Sequence, residues 1–207
     1  FVFPDAKIAI VCRITIETGG NFRPKRWDFM TKKELRAAMK KRNLSLSSEE
    51  RAAASERIFG RVERLPGFSQ ARCAAFFCAL PDEPQTGAAL ARWSAAKRIV
   101  VPRVEGDAMR FYDYVPGELC RGAFGIAEPS AAERPCDPAD IDFIVVPGVA
   151  FTAAGARMGR GRGYYDKYLS QSGFRGVKAG VCYAHQLVGE LPVEPHDVFM
   201  DYVVTND

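Results

Sequence analysis

The stretch IDFIVVPGVAFTAAGARMGRGRGYYDKYL, residues 141–169, decides how this chain folds. It opens with the apolar run Ile141–Val146, the pattern of a buried strand in a parallel sheet, and breaks at Pro147-Gly148. After a short polar link comes RMGRGRGYYD, with Gly159, Gly161 and Gly163 alternating with Arg160 and Arg162, and Arg157 just upstream. Tyr164–Leu169 then reads as the first turns of a helix. Strand, glycine-rich loop and helix in that order gather backbone N–H groups and a helix N-terminus around one point. Glycines let the backbone approach a ligand closely, and arginine forks match phosphate oxygens. The reading is a polyphosphate site, with Asp166 placed to hold the metal ion that such a ligand carries.

Two better-known loops are excluded. GxxxxGK[ST] is absent, and the dinucleotide fingerprint would need glycine where Tyr164 stands. The alternatives are a solvated Arg/Gly loop or a disordered RNA-binding segment. A strand before and a helix after argue against disorder.

Working outward, the chain alternates strands and helices. Thr31-Lys-Lys-Glu34 and Ser47-Ser-Glu-Glu50 are capping boxes that open two helices. The first carries Leu35, Ala38, Met39 and Arg42 on one face, and the second runs to about Arg64. Cys73–Leu80 reads as a buried strand ending at Pro81-Asp82-Glu83-Pro84, and Thr86 as the cap of a helix reaching Ala96. Strands follow at Arg98–Val101, Met109–Tyr114 (an edge or hairpin strand), Ala179–Cys182 and Tyr202–Thr205. Residues 122–129 read as a loop, and 191–197 as a rigid turn. The pattern predicts an α/β fold: a mostly parallel sheet with helices on both faces. Ligands gather at the C-terminal ends of such strands, where Glu83, the Arg/Gly loop and Asp197 all fall.

Composition sets bounds. At 207 residues and 47% hydrophobic, the chain suits one domain with a full core. No apolar run is long enough to span a membrane. Six scattered cysteines without C-x-x-C read as free thiols in a reducing compartment, and two histidines exclude a histidine-rich metal site. Residues 23–64 hold 13 Lys/Arg against 6 Asp/Glu, while the remainder is net acidic. Lys32, Lys33 and Arg36 sit in the first turns of the first helix, where the macrodipole disfavours cations. Either a bound anion or a frayed, solvated end explains them. Residues 1–29 fit poorly with the rest of the chain. They read as an extension of unknown role, with 30–207 as one domain.

These residues together resemble a known family, the 5-formyltetrahydrofolate cyclo-ligases. The resemblance runs from about Lys32 to the C-terminus. It rests on KKELR at Lys32, DEPQT at Asp82, MRF at Met109, FGIAEP at Phe124, VPGVAF at Val146, RMGRGRGYYD at Arg157, and PVE with HD at Pro192. The long glycine motif is highly specific. KxxLR alone would be weak. The resemblance implies a Rossmann-like three-layer α/β/α fold, similar to the NagB/ribose-5-phosphate isomerase/CoA transferase-like group. It implies ATP with Mg²⁺ activating the formyl oxygen of 5-formyltetrahydrofolate, then attack by N10 to give the 5,10-methenyl product.

Carried over, Lys32, Lys33 and Arg36 would contact ATP, and Arg157, Gly159, Arg160, Gly161, Arg162, Gly163, Tyr164 and Tyr165 would wrap its phosphates. Arg160, Arg162 and Tyr165 would be catalytic. Cys78, Glu83 and the Arg160–Tyr164 loop would meet the folate, and Asp166 and Asp197 would serve the magnesium. The partners expected are small molecules, with no nucleic acid or membrane, for a cytoplasmic monomer. Phe77, Tyr114 and Thr152 depart from the Tyr, Trp and Asp common in the family. Two other readings stand beside this one: a non-catalytic nucleotide- or RNA-binding protein on the same fold, and a relative that binds both ligands yet cyclises poorly.

Overall fold

The strand read from the opening stretch forms the middle of the molecule. The structure is a computed structural model that describes residues 30–122, 125, 127–129 and 134–207. The reading of 1–29 as an extension therefore lies outside the described residues. The main sheet contains β1 (Cys73–Ala75), β2 (Arg98–Glu105), β3 (Ala108–Asp113), β6 (Phe143–Pro147), β9 (Val177–Val181) and β11 (Tyr202–Val204). Their order is β11-β9-β6-β1-β2-β3. All neighbours run parallel except β3, which returns antiparallel beside β2 at the edge.

Alternate residues of these strands feed two cores. Phe143, Val145, Ala74, Val101 and Val181 face α2 (Ser48–Val62) and α3 (Gly87–Ser94), packing on Ile58, Phe59 and Trp93. Ile144, Val146, Ala75, Val100 and Cys182 face the other way, onto Tyr168 and Leu169 of α4 (Tyr164–Leu169). Fully burying one such side chain stabilises the fold by about 1.5–3 kcal/mol. Asp142, the one acid in the central apolar run, accepts the backbone N–H groups of Arg72 (2.8 Å) and Cys73 (3.0 Å). It thereby fixes β6 against β1.

Several local readings are corrected. The polar link after β6 is a small sheet of β7 (Ala150–Thr152), antiparallel to β8 (Arg157–Met158) and parallel to β10 (Leu187–Val188). Thr152 Oγ1 accepts the Ala156 N–H at 3.1 Å, so a hydroxyl closes that hairpin. Residues 127–129, within the span expected to be a loop, form β5 (Ala127–Pro129), which pairs with β4 (Leu119–Arg121). The ladder of β1 stops at Ala75, although the chain stays buried to Cys78. Thr86 stands at the N-cap of α3 as read, but its hydroxyl accepts the Ala79 N–H at 3.2 Å and bonds no helix N–H. Finally, α1 (Lys32–Leu44) buries Leu35, Met39 and Asn43, an i, i+4, i+8 stripe, and leaves Arg42 exposed.

Both capping boxes form as read, with Thr31 bonded to Glu34 and Ser47 to Glu50. Cys73, Cys78, Cys136 and Cys182 are free and buried, and Cys120 is free and exposed. Among the described residues, no helix is long and apolar enough to cross a membrane.

Candidate active site

The glycine loop leaves β8 at Met158 and enters α4 at Tyr164. Gly161 (φ 99°) and Gly163 (φ 68°) adopt left-handed backbone that side chains rarely tolerate. The loop can therefore turn tightly where it carries Arg160 and Arg162. It borders a cavity of about 1110 Å³. Lys32, Arg36, Cys78, Glu83, Arg157, Gly159, Arg160, Gly161, Arg162, Gly163, Tyr164, Tyr165, Asp166 and Asp197 all line it. Of the site residues named from sequence, only Lys33 falls outside that lining, with its side chain exposed.

Each arginine has a distinct setting. Arg160 bridges two carboxylates: Nε donates to Glu83 Oε1 at 3.0 Å and Nη2 to Asp82 Oδ1 at 2.8 Å. Arg36 Nε donates to the Gly159 carbonyl at 2.9 Å, tying α1 to the loop. Arg157 is buried and pairs with Asp166 Oδ2 at 2.8 Å, beneath the loop. Arg162 extends to the exposed side. Lys32 pairs with Glu194 of the 191–197 segment, so α1 also closes against that turn.

The matching family model is that of the 5-formyltetrahydrofolate cyclo-ligases, and it covers residues 28–206. The chain belongs to the 5-formyltetrahydrofolate cyclo-ligase family. A 5-formyltetrahydrofolate cyclo-ligase of Mycolicibacterium smegmatis is 30% identical over 84% of this chain and 93% of its own length. The mouse cyclo-ligase is 26% identical, over 85% and 94%. The solution structure of the Aquifex aeolicus 5,10-methenyltetrahydrofolate synthetase superposes with a TM-score of 0.76 at 37% identity, covering 86% of this chain and 90% of that one. Members of the cyclo-ligase family are ligases, and this chain is accordingly an enzyme of that class.

The acidic end of the cavity is held by groups that local spacing does not reveal. Asn43 Nδ2 donates to the Asp82 carbonyl at 2.9 Å, and the Tyr183 hydroxyl donates to the Glu83 carbonyl at 3.0 Å. His185 contacts Asn43 Oδ1 at 2.6 Å. Burial, aided by nearby Arg42, pushes its pKa down to about 4, so the imidazole is neutral. Gln186 is buried and donates to the carbonyls of Gly148 (3.1 Å) and Val149 (2.9 Å), shaping the turn between β6 and β7. Asn43 carried one signal: it completes the i, i+4, i+8 stripe begun by Leu35 and Met39. Nothing near Tyr183 or Gln186 in sequence announces its target.

Electrostatics divide the cavity. Burial raises the Glu83 carboxyl above the usual range, against the opposing pull of Arg160. The Cys78 thiol is pushed up to about 12 by burial and by the charge of Glu128, so it forms a neutral wall. The Tyr165 hydroxyl is also raised, chiefly by burial and then by Glu83, and remains protonated. Phe77 lines the cavity and stacks on Phe76 with 6.0 Å between ring centroids.

Asp166 and Asp197 are the candidate metal ligands. Asp166 Oδ1 accepts the Val198 N–H at 3.3 Å, while its other oxygen meets Arg157. Asp197 Oδ2 accepts the Glu194 N–H at 2.7 Å. Among the described residues there is no cluster of three or more acidic, thiol or imidazole groups able to cage a metal. Two carboxylates with lone pairs to spare suit Mg²⁺, which typically keeps waters and takes its remaining ligands from phosphates.

Proposed function

We propose that the chain catalyses the ATP- and Mg²⁺-dependent cyclisation of 5-formyltetrahydrofolate to 5,10-methenyltetrahydrofolate, releasing ADP and phosphate. The observation that carries this reading is the setting of Arg160. Its guanidinium belongs to the phosphate-type loop, yet its partners are the carboxylates of Asp82 and Glu83, and Glu83 lines the same cavity. One residue thus joins a cationic, glycine-rich side to an acidic side within a single cavity.

In this reading Lys32, Arg36 and Arg162 neutralise the ATP phosphates, with the loop N–H groups between them. Glu83 accepts N–H donors of the pterin, and the thiol of Cys78 and the ring of Phe77 cover its flat face. The formyl oxygen attacks the γ-phosphorus and ADP departs. The N10 lone pair then attacks the formyl carbon, the C–O bond breaks, and phosphate carries the oxygen away as N10 loses its proton. Arg160 stabilises the charge that develops on the transferred group. Phosphoryl transfer asks mainly for alignment and charge neutralisation, which a loop of this kind supplies. Asp166 and Asp197 would hold the magnesium, whose chemistry here is to neutralise phosphate charge. The same carboxylates would repel an RNA backbone, which argues against the nucleic-acid reading.

The test is direct. Purified protein mixed with 5-formyltetrahydrofolate and Mg-ATP should develop the methenyl absorbance band. Omitting ATP or adding EDTA should abolish it. A flat trace with all components present overturns the reading.

A further inference from the structure

Glu128 belongs to a motif that the proposed reaction leaves without a role. It lies on β5, is 5% exposed, and lines the cavity together with Phe77, Cys78, Pro102, Val104 and Met109. Its Oε1 accepts one backbone N–H, from Val104, at 3.3 Å. A carboxyl group can accept several hydrogen bonds, and one long one leaves most of that capacity unused.

The backbone makes room for this group. A Cβ built on Gly122 would stand 2.0 Å from Glu128 Oε2 and 2.2 Å from its Cδ. Gly122 is absent from the positive-φ glycines, so its freedom to turn is not what the position uses. Its missing side chain is the space the carboxylate occupies. A buried acid with a niche shaped for it, bordering a cavity, has the form of a receptor for donors that a ligand brings.

We propose that Glu128 is a second substrate-binding carboxylate, one that accepts N–H donors of the pterin ring and determines specificity for it. The inference rests on the folate reading of this cavity. A reduced aminopterin presents several N–H donors around one ring system, more than Glu83 alone can satisfy. Two carboxylates, with Cys78 on the same wall, give that ring an acceptor-rich seat. A ligand lacking those donors would leave Glu128 buried without compensation, which is how a buried polar group discriminates strongly.

The experiment is Glu128→Gln, which keeps the shape and removes the charge, measured beside the wild type in the methenyl assay. KM for 5-formyltetrahydrofolate should rise roughly ten- to a hundredfold, the size expected for a hydrogen bond to a charged group. KM for Mg-ATP should stay within about twofold. An unchanged folate KM overturns the inference, and so does an equal rise in both KM values, which would mark a purely structural role. Should Glu128→Gln fail to fold, Gly122→Ala displaces the carboxylate without deleting it and must raise the same KM; no rise overturns the inference. A wild type without turnover sinks the folate reading and this inference with it. An active wild type beside an indifferent Glu128→Gln sinks this inference alone.

Discussion

At the scale of single residues, Arg160 has the most to lose. Its alternation with glycine marked it as a phosphate ligand, yet its partners in the structure are Asp82 and Glu83. Arg160→Ala leaves two adjacent, nearly buried carboxylates without their cation. Because the Arg160 side chain is 39% exposed, the penalty is screened and should be about 1–2 kcal/mol. The folded-state pKa of Glu83 already lies above its ordinary 4.5, because burial outweighs Arg160, and the substitution raises it further. Ionising Glu83 therefore opposes folding, a cost that builds as the pH rises from 4.5 and is complete above the folded value. The part of the deficit that Glu83 carries should be full above the variant's folded value and disappear as the pH falls through the wild type's folded value. Urea midpoints of both proteins at mildly acidic and mildly alkaline pH check this; a deficit independent of pH would mean the carboxylates are not its source. Turnover of Arg160→Ala should fall by about a hundredfold or more. Arg157 shows the converse. It shares the motif, but its partner is Asp166 and its side chain is 3% exposed, so it supports the loop from beneath.

Among the elements, α1 shows how local code and distant contact combine. The capping box at Thr31 starts the helix so that Lys32 and Arg36 fall within its first two turns. Those cations sit against the macrodipole, and the structure supplies their counterparts: Glu194 for Lys32 and the Gly159 carbonyl for Arg36. Thr31→Ala should cost about 1 kcal/mol, read as a lower melting temperature. It should also raise KM for ATP more than KM for 5-formyltetrahydrofolate, since the frayed turn carries the phosphate-side cations. Equal changes in the two KM values would detach α1 from the nucleotide. The helix stripe was legible as an apolar period, but its third member is the polar Asn43, which hydropathy alone passes over. Residues 127–129 read as part of a loop because β5 is only three residues long, too few for alternation to register.

Across the whole molecule, two sheets share one ring. Phe151 of β7 is fully buried, and Cβ atoms built on Gly148 and Gly180 would stand 2.5 Å and 2.4 Å from it. It wedges the small sheet that launches the glycine loop against β6 and β9 of the main one. Phe151→Ala should cost about 3–5 kcal/mol, measured by urea unfolding. The loss of turnover should exceed what the unfolded fraction explains, because β8 and the loop shift together. Activity per folded molecule equal to wild type would show that the small sheet holds its place without this ring.

Short-range chemistry carried much of this into the sequence. Apolar runs specified buried strands, two capping boxes specified helix starts, and the alternation of helix and strand specified a parallel α/β sheet. The glycine–arginine alternation specified a loop for anions. Each of these needs only neighbours within a turn or a strand. The pairings that make the site are of another range: Arg160 to Glu83 spans 77 residues, Arg36 to Gly159 spans 123, and Lys32 to Glu194 spans 162. No local spacing encodes them, because they depend on the order in which the strands pack. That order is set by burial of the two faces of the sheet, and only the folded chain reveals it.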